Sequence, residues 1–444
     1  MRSHRCVCIR RLLRVFSLCM VLLFPLSSSS AEEKYTVDIV RKEAQKITIA
    51  VVGFPPLKSD SGSEDLGTQA GTVLTDDLKN AGIFDVIDPS LLPVEAVQVA
   101  FGQERGLLSA LNALKVQALV VGKLSSRGSE LIVEGQLFEV AKGEMLSGKR
   151  YAGDSRSLRV MVHRLADEIV FRLTGEKGIA SSRIAYVSAV NGAKEIYVMD
   201  YDAYNPLLIT GNRSINLSPR WSPDGKKIAY TSYRDQNPDL FVIDLETGRR
   251  QKISSNPGLN VAPAWSPDGK WLVFSMSAGT GTNLFLIRPD GTGLRQLTQG
   301  PHIDISPSFA PNGRQIAFNS DRGGTPQIYL MDIEGTNIRR LTFGVGDYSV
   351  SPRWSPRGDK IVFVGKLYGR FDIFLIGPDG TGLTQLTSNS RNNEEPSWSP
   401  DGRHLLFTST RNGSRHLYIM KADGSNQRQL TKNGQSNYLA DWSP

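Results

Sequence analysis

The chain has 444 residues, of which 52 are basic and 44 acidic, and its formal net charge is +8. Five arginines and no acidic residue fall within the first 31 positions, so the remainder holds 47 basic and 44 acidic residues and carries a charge of +3. A nearly balanced charge, without a run of lysines and arginines among aromatic residues, argues against nucleic acid as a partner. The length suffices for two or three domains with their own cores.

Residues 1–31 have the layout of a secretory signal peptide. Arginines occupy its start, an apolar run extends from Val15 to Leu26, and small residues at positions 29–31 form a cleavage site. The apolar run of about 12 residues is shorter than the roughly 20 that a membrane-spanning helix needs. The sequence therefore predicts export, removal of this segment and a mature chain that begins at Glu32.

All three cysteines, Cys6, Cys8 and Cys19, lie in the segment that is predicted to be removed. The mature chain is therefore expected to contain neither a disulfide nor a thiolate metal site. Lipid attachment at Cys19 is disfavoured, because Leu18 stands where a lipoprotein has a small residue.

Residues 46–176 predict an α/β domain, and its first three strands are expected to be largely parallel. Before it, in residues 32–45, the stretch Tyr35–Arg41 alternates apolar and polar residues and suits pairing with the edge of a sheet. The predicted order is a strand at Lys46–Phe54, a helix at Asp65–Ala81, a strand at Ile83–Ile87, a helix marked by Leu107, Leu108, Leu111 and Leu114, a strand at Ala118–Leu124, a hairpin of Leu131–Val140 and Glu144–Tyr151, and a final helix that Gly175 ends.

From residue 182 to the last residue, one short phrase recurs, usually as Pro-x-Trp-Ser-Pro-Asp-Gly. This period, with an aromatic residue and a tight turn in each copy, predicts an all-β six-bladed β-propeller of four-stranded blades. No strand follows the last copy of the phrase in the sequence, and no copy of the phrase precedes the strand at Ile184. Asp441–Pro444 should therefore supply the innermost strand of the first blade and close the ring. The aromatic residues are spaced by 44, with one step of 45, at Trp221, Trp265, Phe309, Trp354, Trp398 and Trp442.

The Ser-Pro-Asp-Gly turns and their aromatic residues are interpreted as structural. Proline fixes φ, aspartate bonds its own backbone and glycine adopts a positive φ, so the turn chemistry explains the motif. No Gly-x-Ser-x-Gly motif occurs, and His163, His302, His404 and His416 have no metal-ligand spacing, so no catalytic residue and no cofactor is predicted. A single structural or partner-modulating calcium ion, held by loop carboxylates, stays open, and the metal site is unknown.

The connections between blades do not repeat, although the turns on the opposite face do. Variation confined to one set of loops favours a binding surface, and relaxed constraint on exposed loops is the other explanation. Each connection leads into an innermost strand, so its residues should converge on the mouth of the central channel. The candidate binding residues are Leu259, Val261, Ala262, His302, Ile305, Val350, Glu395 and Leu439.

The signal peptide, the cysteine-free α/β domain and the six Trp-Ser-Pro-Asp-Gly blades together resemble the TolB family of the Tol-Pal system. The strand Ala50–Phe54 and the segment that starts at Asp65–Gly67 strengthen the resemblance. It implies a non-enzymatic periplasmic adaptor that maintains outer-membrane integrity and supports envelope constriction during cell division. Its partners would be proteins, with membrane association only through them, and other outer-membrane proteins could join them.

The resemblance also implies two partner sites. The lipoprotein Pal would bind at the propeller mouth, where family contacts correspond to Leu259, Ala262 and Ile305. TolA would bind the N-terminal segment, with candidate residues Glu32, Tyr35, Val37, Ile39 and Arg41. An extracytoplasmic hydrolase or a glycan-binding propeller that uses the same mouth is the alternative.

Overall fold

The computed structural model describes residues 46–55, 57, 65–92 and 104–444. The predicted signal peptide and the candidate TolA-binding residues Glu32, Tyr35, Val37, Ile39 and Arg41 lie outside the described residues. Among the described helices, none combines the length and the apolar character that crossing a membrane requires.

An α/β domain comes first, as the sequence predicts. Its sheet has the order β2-β1-β3-β4-β5; β1 is parallel to β2 and β3, and the remaining pairs are antiparallel. The strands are β1 (Ile47–Gly53), β2 (Phe84–Val86), β3 (Ala118–Arg127), β4 (Glu130–Glu139) and β5 (Glu144–Gly153), and the described helices are α1 (Leu66–Asn80), α2 (Glu104–Ala113) and α3 (Leu158–Thr174).

Local chemistry explains where the helices α1 and α3 begin and end. The side chain of Asp65 accepts hydrogen bonds from the backbone N–H groups of Gly67 and Thr68, which caps the first turn of α1. Gly175 has a φ of 74°, and its N–H donates to the carbonyl of Phe171, so it ends α3 as predicted. Both helices present a buried apolar stripe to the same face of the sheet.

The propeller follows as six four-stranded antiparallel sheets in residues 183–442. Blade 1 has the order β29-β6-β7-β8, and blades 2 to 6 take four consecutive strands each. Blades 1 to 3 contain β6 (Arg183–Val190), β7 (Ala193–Asp200), β8 (Leu207–Leu208), β9 (Asn216–Trp221), β10 (Lys227–Asp235), β11 (Asn237–Asp244), β12 (Arg250–Ser254), β13 (Asn260–Trp265), β14 (Leu272–Ala278), β15 (Gly281–Ile287) and β16 (Arg295–Gln296). Blades 4 to 6 and the closing strand are β17 (Asp304–Phe309), β18 (Gln315–Ser320), β19 (Gln327–Asp332), β20 (Arg339–Arg340), β21 (Ser349–Trp354), β22 (Ile361–Leu367), β23 (Arg370–Ile376), β24 (Thr384–Gln385), β25 (Asn393–Trp398), β26 (His404–Ser409), β27 (His416–Lys421), β28 (Arg428–Gln429) and β29 (Ser436–Trp442).

The last strand closes the ring, which confirms the sequence prediction. β29 pairs antiparallel with β6, and Trp442 lies opposite Ile184. The indole N–H of Trp442 donates to the hydroxyl of Ser182 at 2.7 Å, and the backbone N–H of Ser443 donates to the carbonyl of Arg183 at 2.8 Å. The first and last strands of the propeller therefore share one sheet, and the edge that β6 would expose is covered.

An aromatic pair, stacked in three blades and tilted in the other three, fills the core of every blade. The ring centroids of the two residues, one from the second strand and one from the third, lie between 5.7 and 6.3 Å apart. Aromatic pairs at this separation add stability beyond the area they bury. The pairs are Tyr186–Tyr197, Tyr230–Phe241, Phe274–Phe285, Phe318–Tyr329, Phe363–Phe374 and Phe407–Tyr418.

The tryptophans of the repeated phrase hold neighbouring blades together. The indole N–H of Trp265 donates to the carbonyl of Arg220, and that of Trp398 donates to the carbonyl of Arg353, both at 3.1 Å. Each acceptor is the residue before the aromatic position of the preceding blade. Trp354 departs from this pattern, because its indole N–H donates to the carbonyl of Gly358 in its own turn, and only its backbone N–H reaches the preceding blade, at the hydroxyl of Ser308.

Candidate functional site

Within the described residues, the α/β domain lies against one end of the propeller channel. We call the end with the Ser-Pro-Asp-Gly turns the turn face, and the end with the connections into the innermost strands the connection face. A cavity of about 850 Å³ lies at the turn face, between Arg164, Asp167 and Phe171 of α3 and residues from all six blades. Among the described residues, the hydrogen bonds and ion pairs between the two domains all reach the turn face.

A buried polar cluster joins the domains there. The imidazole Nδ1 of His163 lies 2.7 Å from a carboxylate oxygen of Asp77, and the hydroxyl of Tyr201 donates to the other oxygen of Asp77 at 2.6 Å. Arg159 forms an ion pair with Asp202, which lies 3.6 Å from His163 Nε2. Burial opposes protonation of the imidazole, but the hydrogen bond and charge of Asp77 outweigh it and raise the pKa of His163.

Among the described residues, this cluster also contains three side chains that could hold a metal ion. One potential ligand atom from each of Asp77, His163 and Asp202 lies within 4.8 Å of the other two. The guanidinium of Arg159 competes for Asp202, however, and the hydroxyl of Tyr201 donates to Asp77. These contacts assign the cluster to the domain interface, and His163, which the sequence suggests to be structural, is part of it.

At the connection face, each innermost strand has a fully buried polar residue at its first position or, in β29, at its second. In blade 6, the amide of Asn393 donates to Asp372 at 3.0 Å and accepts from the hydroxyl of Ser409 at 2.8 Å. In blade 4, the guanidinium of Arg322 donates to both carboxylate oxygens of Asp304. Such bonds fix the ends of the connections and hold the mouth of the channel in place. The six residues are Asn216, Asn260, Asp304, Ser349, Asn393 and Asn437.

A β-bulge then interrupts every innermost strand. Its residue adopts a left-handed conformation, with φ between 51° and 57°, although none of the six is glycine. Each such residue costs on the order of 1 to 3 kcal/mol and persists only where its surroundings impose it. In five blades a proline follows. The six residues are Ser218, Ala262, Ser306, Ser351, Glu395 and Leu439.

The bulge separates the predicted binding residues into two rings. Val261, Ile305 and Val350 share one register position, opposite the second strand at Ser275, Asn319 and Val364. The equivalent residues of the next two blades are Glu394 and Tyr438, which sequence spacing alone does not identify. The other ring contains the bulge residues Ala262, Glu395 and Leu439.

Leu259 and His302 lie in the connections themselves. Leu259 is 36% exposed, and His302 is half-buried, with its carbonyl bonded to the N–H of Thr282. Three exposed apolar residues on this face were not predicted: Ile303, Phe343 and Tyr368 are 51%, 63% and 95% exposed. They occupy non-repeating connections or a hairpin tip, so no periodic signal marks them.

Glu395 is a half-buried carboxylate at this end of the channel. Glu395 accepts a hydrogen bond from the backbone N–H of Leu439 at 2.7 Å and from the hydroxyl of Thr408 at 2.9 Å. Burial raises the pKa of Glu395, and these two hydrogen bonds oppose the shift. The contacts tie blade 6 to blade 1 across the ring closure, so Glu395 stabilises the mouth as well as lining it.

Comparisons with known proteins agree with this architecture. Residues 170–444 match the family described as the TolB beta propeller domain, and residues 35–146 match the TolB amino-terminal domain. The crystal structure of TolB from Acinetobacter baumannii aligns with a TM-score of 0.77 and 28% sequence identity, covering 90% of this chain and 97% of that one.

Sequence relatives match over shorter stretches. The chain is 36% identical over 215 residues to the Tol-Pal system protein TolB of Syntrophotalea carbinolica, which is 48% of this chain and 49% of that protein. It is 39% identical over 205 residues to the protein TolB homolog of Chlorobium chlorochromatii, which is 46% of each. The chain thus spans about half the length of the curated relatives that it matches. Because the propeller family alone accounts for residues 170–444, well over half of the sequence, the chain belongs to the TolB family.

Proposed function

We propose that this chain is a periplasmic adaptor of the Tol-Pal system, and that it binds the lipoprotein Pal at the connection face. The observation that carries the proposal is the position of the α/β domain, whose described contacts with the propeller all reach the turn face. The opposite mouth is thus left to a partner, and it is built from the loops that vary between blades.

The connection face offers what a protein partner needs. A stable interface buries about 1,200 to 2,000 Å² in total, so several connections must contribute. Exposed Ile303, Phe343 and Tyr368 supply apolar anchors. The hydrogen-bonded strand starts and the β-bulges that follow them hold the backbone in one conformation. A mouth that is already ordered loses little conformational entropy when a partner binds, which favours affinity.

The same proposal assigns TolA to the N-terminal segment, residues 32–41, on the basis of family membership. An adaptor that holds both partners would link the inner membrane to the outer membrane, which accounts for a role in outer-membrane integrity and in constriction during division. No cofactor is needed for such binding, and a calcium dependence would appear as a change in Pal affinity after EDTA treatment.

Calorimetric titration with soluble Pal tests the connection face. Phe343→Ser should weaken binding at least about tenfold, because a buried aromatic anchor contributes more than about 1.4 kcal/mol. Leu207→Ser is the matched control: Leu207 is 62% exposed, against 63% for Phe343, but lies on the outer strand β8. Unchanged Pal affinity in Phe343→Ser and Tyr368→Ser together would exclude this face.

Deletion of residues 32–41 tests the second partner. TolA binding should be lost, whereas binding to the connection face should survive. If the segment also couples the two sites, Pal and TolA must alter each other's affinity by the same factor, since coupling of equilibrium binding is reciprocal. If the deletion leaves the affinity for Pal unchanged, the segment does not couple the two sites.

Assays of enzymatic activity test the alternative function as a hydrolase. Purified protein should turn over no substrate in a panel for peptidases and glycosidases. Turnover that a substitution at the channel mouth abolishes would contradict the adaptor function and favour a hydrolase.

A further inference from the structure

Two arginines break the repeat at one position of the channel wall. Ser-Pro-Arg-Trp-Ser-Pro occurs twice, at residues 218–223 and 351–356, and places Arg220 and Arg353 directly before the ring tryptophan. The two lie three blades apart in a ring of six, hence on opposite walls of the channel, and both line the cavity at the turn face. The equivalent residues in the other blades are Ala264, Ser308, Ser397 and Asp441.

The guanidinium of Arg220 is buried without a full set of partners. The residue is 9% exposed, and its Nη1 donates to the carbonyl of the adjacent Pro219 at 2.7 Å. The carboxylate of Asp441 is 3.8 Å from Nη1, beyond hydrogen-bonding distance, and Nε has no partner. Burial lowers the pKa of Arg220, and the charges of Asp441 and Glu395 oppose this. A buried polar atom of this kind usually has a partner, in the protein or in a ligand.

Arg220 has only the long ion pair with Asp441, and the other basic residues of the cavity have no carboxylate partner among the described residues. Arg353 makes one long hydrogen bond, of 3.5 Å, to the carbonyl of Pro352. Within the described part of the chain, neither Arg353 nor Arg164 nor Lys177, which line the same cavity, forms an ion pair.

The acidic residues of the cavity, in contrast, are all engaged. Asp167 accepts from the N–H groups of residues 180 and 181 at 2.8 and 2.9 Å, and Glu168 pairs with Arg172 and Lys149. Asp401 accepts from the hydroxyl of Ser399 and the N–H of Arg403, and Asp441 accepts from the N–H of Trp221 at 2.8 Å. The lining thus holds four cations and four carboxylates, but the carboxylates have hydrogen-bond or ion-pair partners of their own, whereas the guanidinium groups of Arg220 and Arg353 keep donors for a ligand.

We propose that this cavity is an anion site, in which a carboxylate or phosphate group of a ligand lies between Arg220 and Arg353. The planar, forked guanidinium group suits both oxyanions. A cavity of about 850 Å³ is far larger than a bare ion and falls in the size range of sites for small molecules or peptide segments. The anion therefore belongs to a larger molecule, either a phosphorylated compound or an acidic peptide. The site is at the turn face and is independent of partner binding at the connection face.

Calorimetry on the full-length protein at low ionic strength tests the site, with inorganic phosphate and a triglutamate peptide as separate probes. Two variants introduce the residue that other blades have at the equivalent position. Arg353→Ser introduces the serine found at Ser308 and Ser397, and Arg220→Ala introduces the alanine found at Ala264. Since the ring already contains these side chains, both variants should fold, and thermal unfolding verifies this. Arg353→Lys keeps the charge and should retain part of the affinity. Arg370→Ser, at an exposed hairpin position of the connection face, is the control for loss of one charge.

We expect each single variant to weaken binding at least about tenfold, the double variant to lose it, and Arg370→Ser to stay within about twofold. Binding of phosphate alone supports a phosphorylated ligand, and tighter binding of triglutamate supports an acidic peptide. Absence of binding for both probes, or wild-type affinity in the folded double variant, would overturn the proposal.

Discussion

Single residues in this propeller act mainly across blade boundaries. Three of the ring tryptophans contribute more than apolar area, because their indole N–H groups reach the backbone of the preceding blade. The turn aspartates, in contrast, bond inside their own turns: the hydroxyl of Ser222 and the N–H of Lys226 both donate to Asp224. The repeated phrase thus fixes its own turn and docks onto its neighbour, and both effects are structural.

Trp265→Phe isolates the bond between blades. It removes the donor to the carbonyl of Arg220, so we expect the free energy of unfolding to fall by about 1 kcal/mol more than in the control. Trp271→Phe is that control, because the indole of Trp271 makes no hydrogen bond within the described residues. Urea unfolding measures both, and equal losses would contradict a specific role for the indole bond.

His163 should make the stability of the domain interface depend on pH. Its pKa in the folded protein is raised above the usual 6.5, so its contribution is fully present below pH 6.5 and is lost as the pH rises through the folded value. The stability difference between wild type and His163→Gln should therefore shrink between pH 5.5 and 8.5. Chemical unfolding across that range measures it, and a constant difference would be the contrary result.

Among the elements, the closing strand β29 bonds to three blades. It covers the edge of β6, supplies Asp441 to Trp221 of blade 2, and brings the N–H of Leu439 to Glu395 of blade 6. Sequence analysis identifies this strand, because the repeat count leaves one copy unmatched at each end. The bulges are harder to predict from the sequence, because their left-handed positions are occupied by residues such as Ala262 and Leu439 and not by glycine.

Deletion of residues 436–444 should expose the edge of β6 and open the ring. We expect a lower melting temperature and association into dimers or aggregates, because an unpaired strand edge pairs with other chains. Removal of the exposed Pro444 alone is the control and should leave both properties unchanged. Light scattering and thermal unfolding report the outcome, and a monomeric deletion variant of normal stability would refute the role of the strand.

At the scale of the whole molecule, the two domains share one hydrophobic core. Leu78 and Ile169 of the α/β domain belong to the same buried cluster as Met199, Ile419 and Trp442 of the propeller. We therefore expect a single calorimetric transition rather than two. Two separated transitions in the wild-type protein would contradict a shared core.

Tyr201→Phe tests the polar part of that interface. It removes the hydroxyl that bonds Asp77 at 2.6 Å and Asn80 at 3.2 Å, so a buried carboxylate loses a donor. The expected loss of stability is about 1 to 3 kcal/mol. Tyr233→Phe, whose hydroxyl makes no hydrogen bond within the described residues, is the control, and urea unfolding compares the two. Equal effects would assign the loss to the ring rather than to the hydroxyl.

The order of strands and helices, the blade count and the end of α3 at Gly175 follow from periodicity and turn chemistry, which are local properties. Domain docking does not, because Asp77 and Tyr201 are 124 positions apart and neither carries a motif. The exposed side chains of Phe343 and Tyr368 likewise depend on how each connection folds. The propeller residues named from sequence lie in the connections and in the first half of the innermost strands, but their division into two rings depends on the bulges.

The pairing of β29 with β6 also has a consequence for synthesis. Ser436 pairs with Ala189, so the first blade of the propeller cannot be completed until β29, about 250 residues later, has been made. Closing so long a loop carries an entropic cost and slows folding. During that interval the nascent protein carries an unpaired strand edge. Synthesis that stops before β29 therefore yields a chain that cannot close its ring, and a usable product requires that β29 be made.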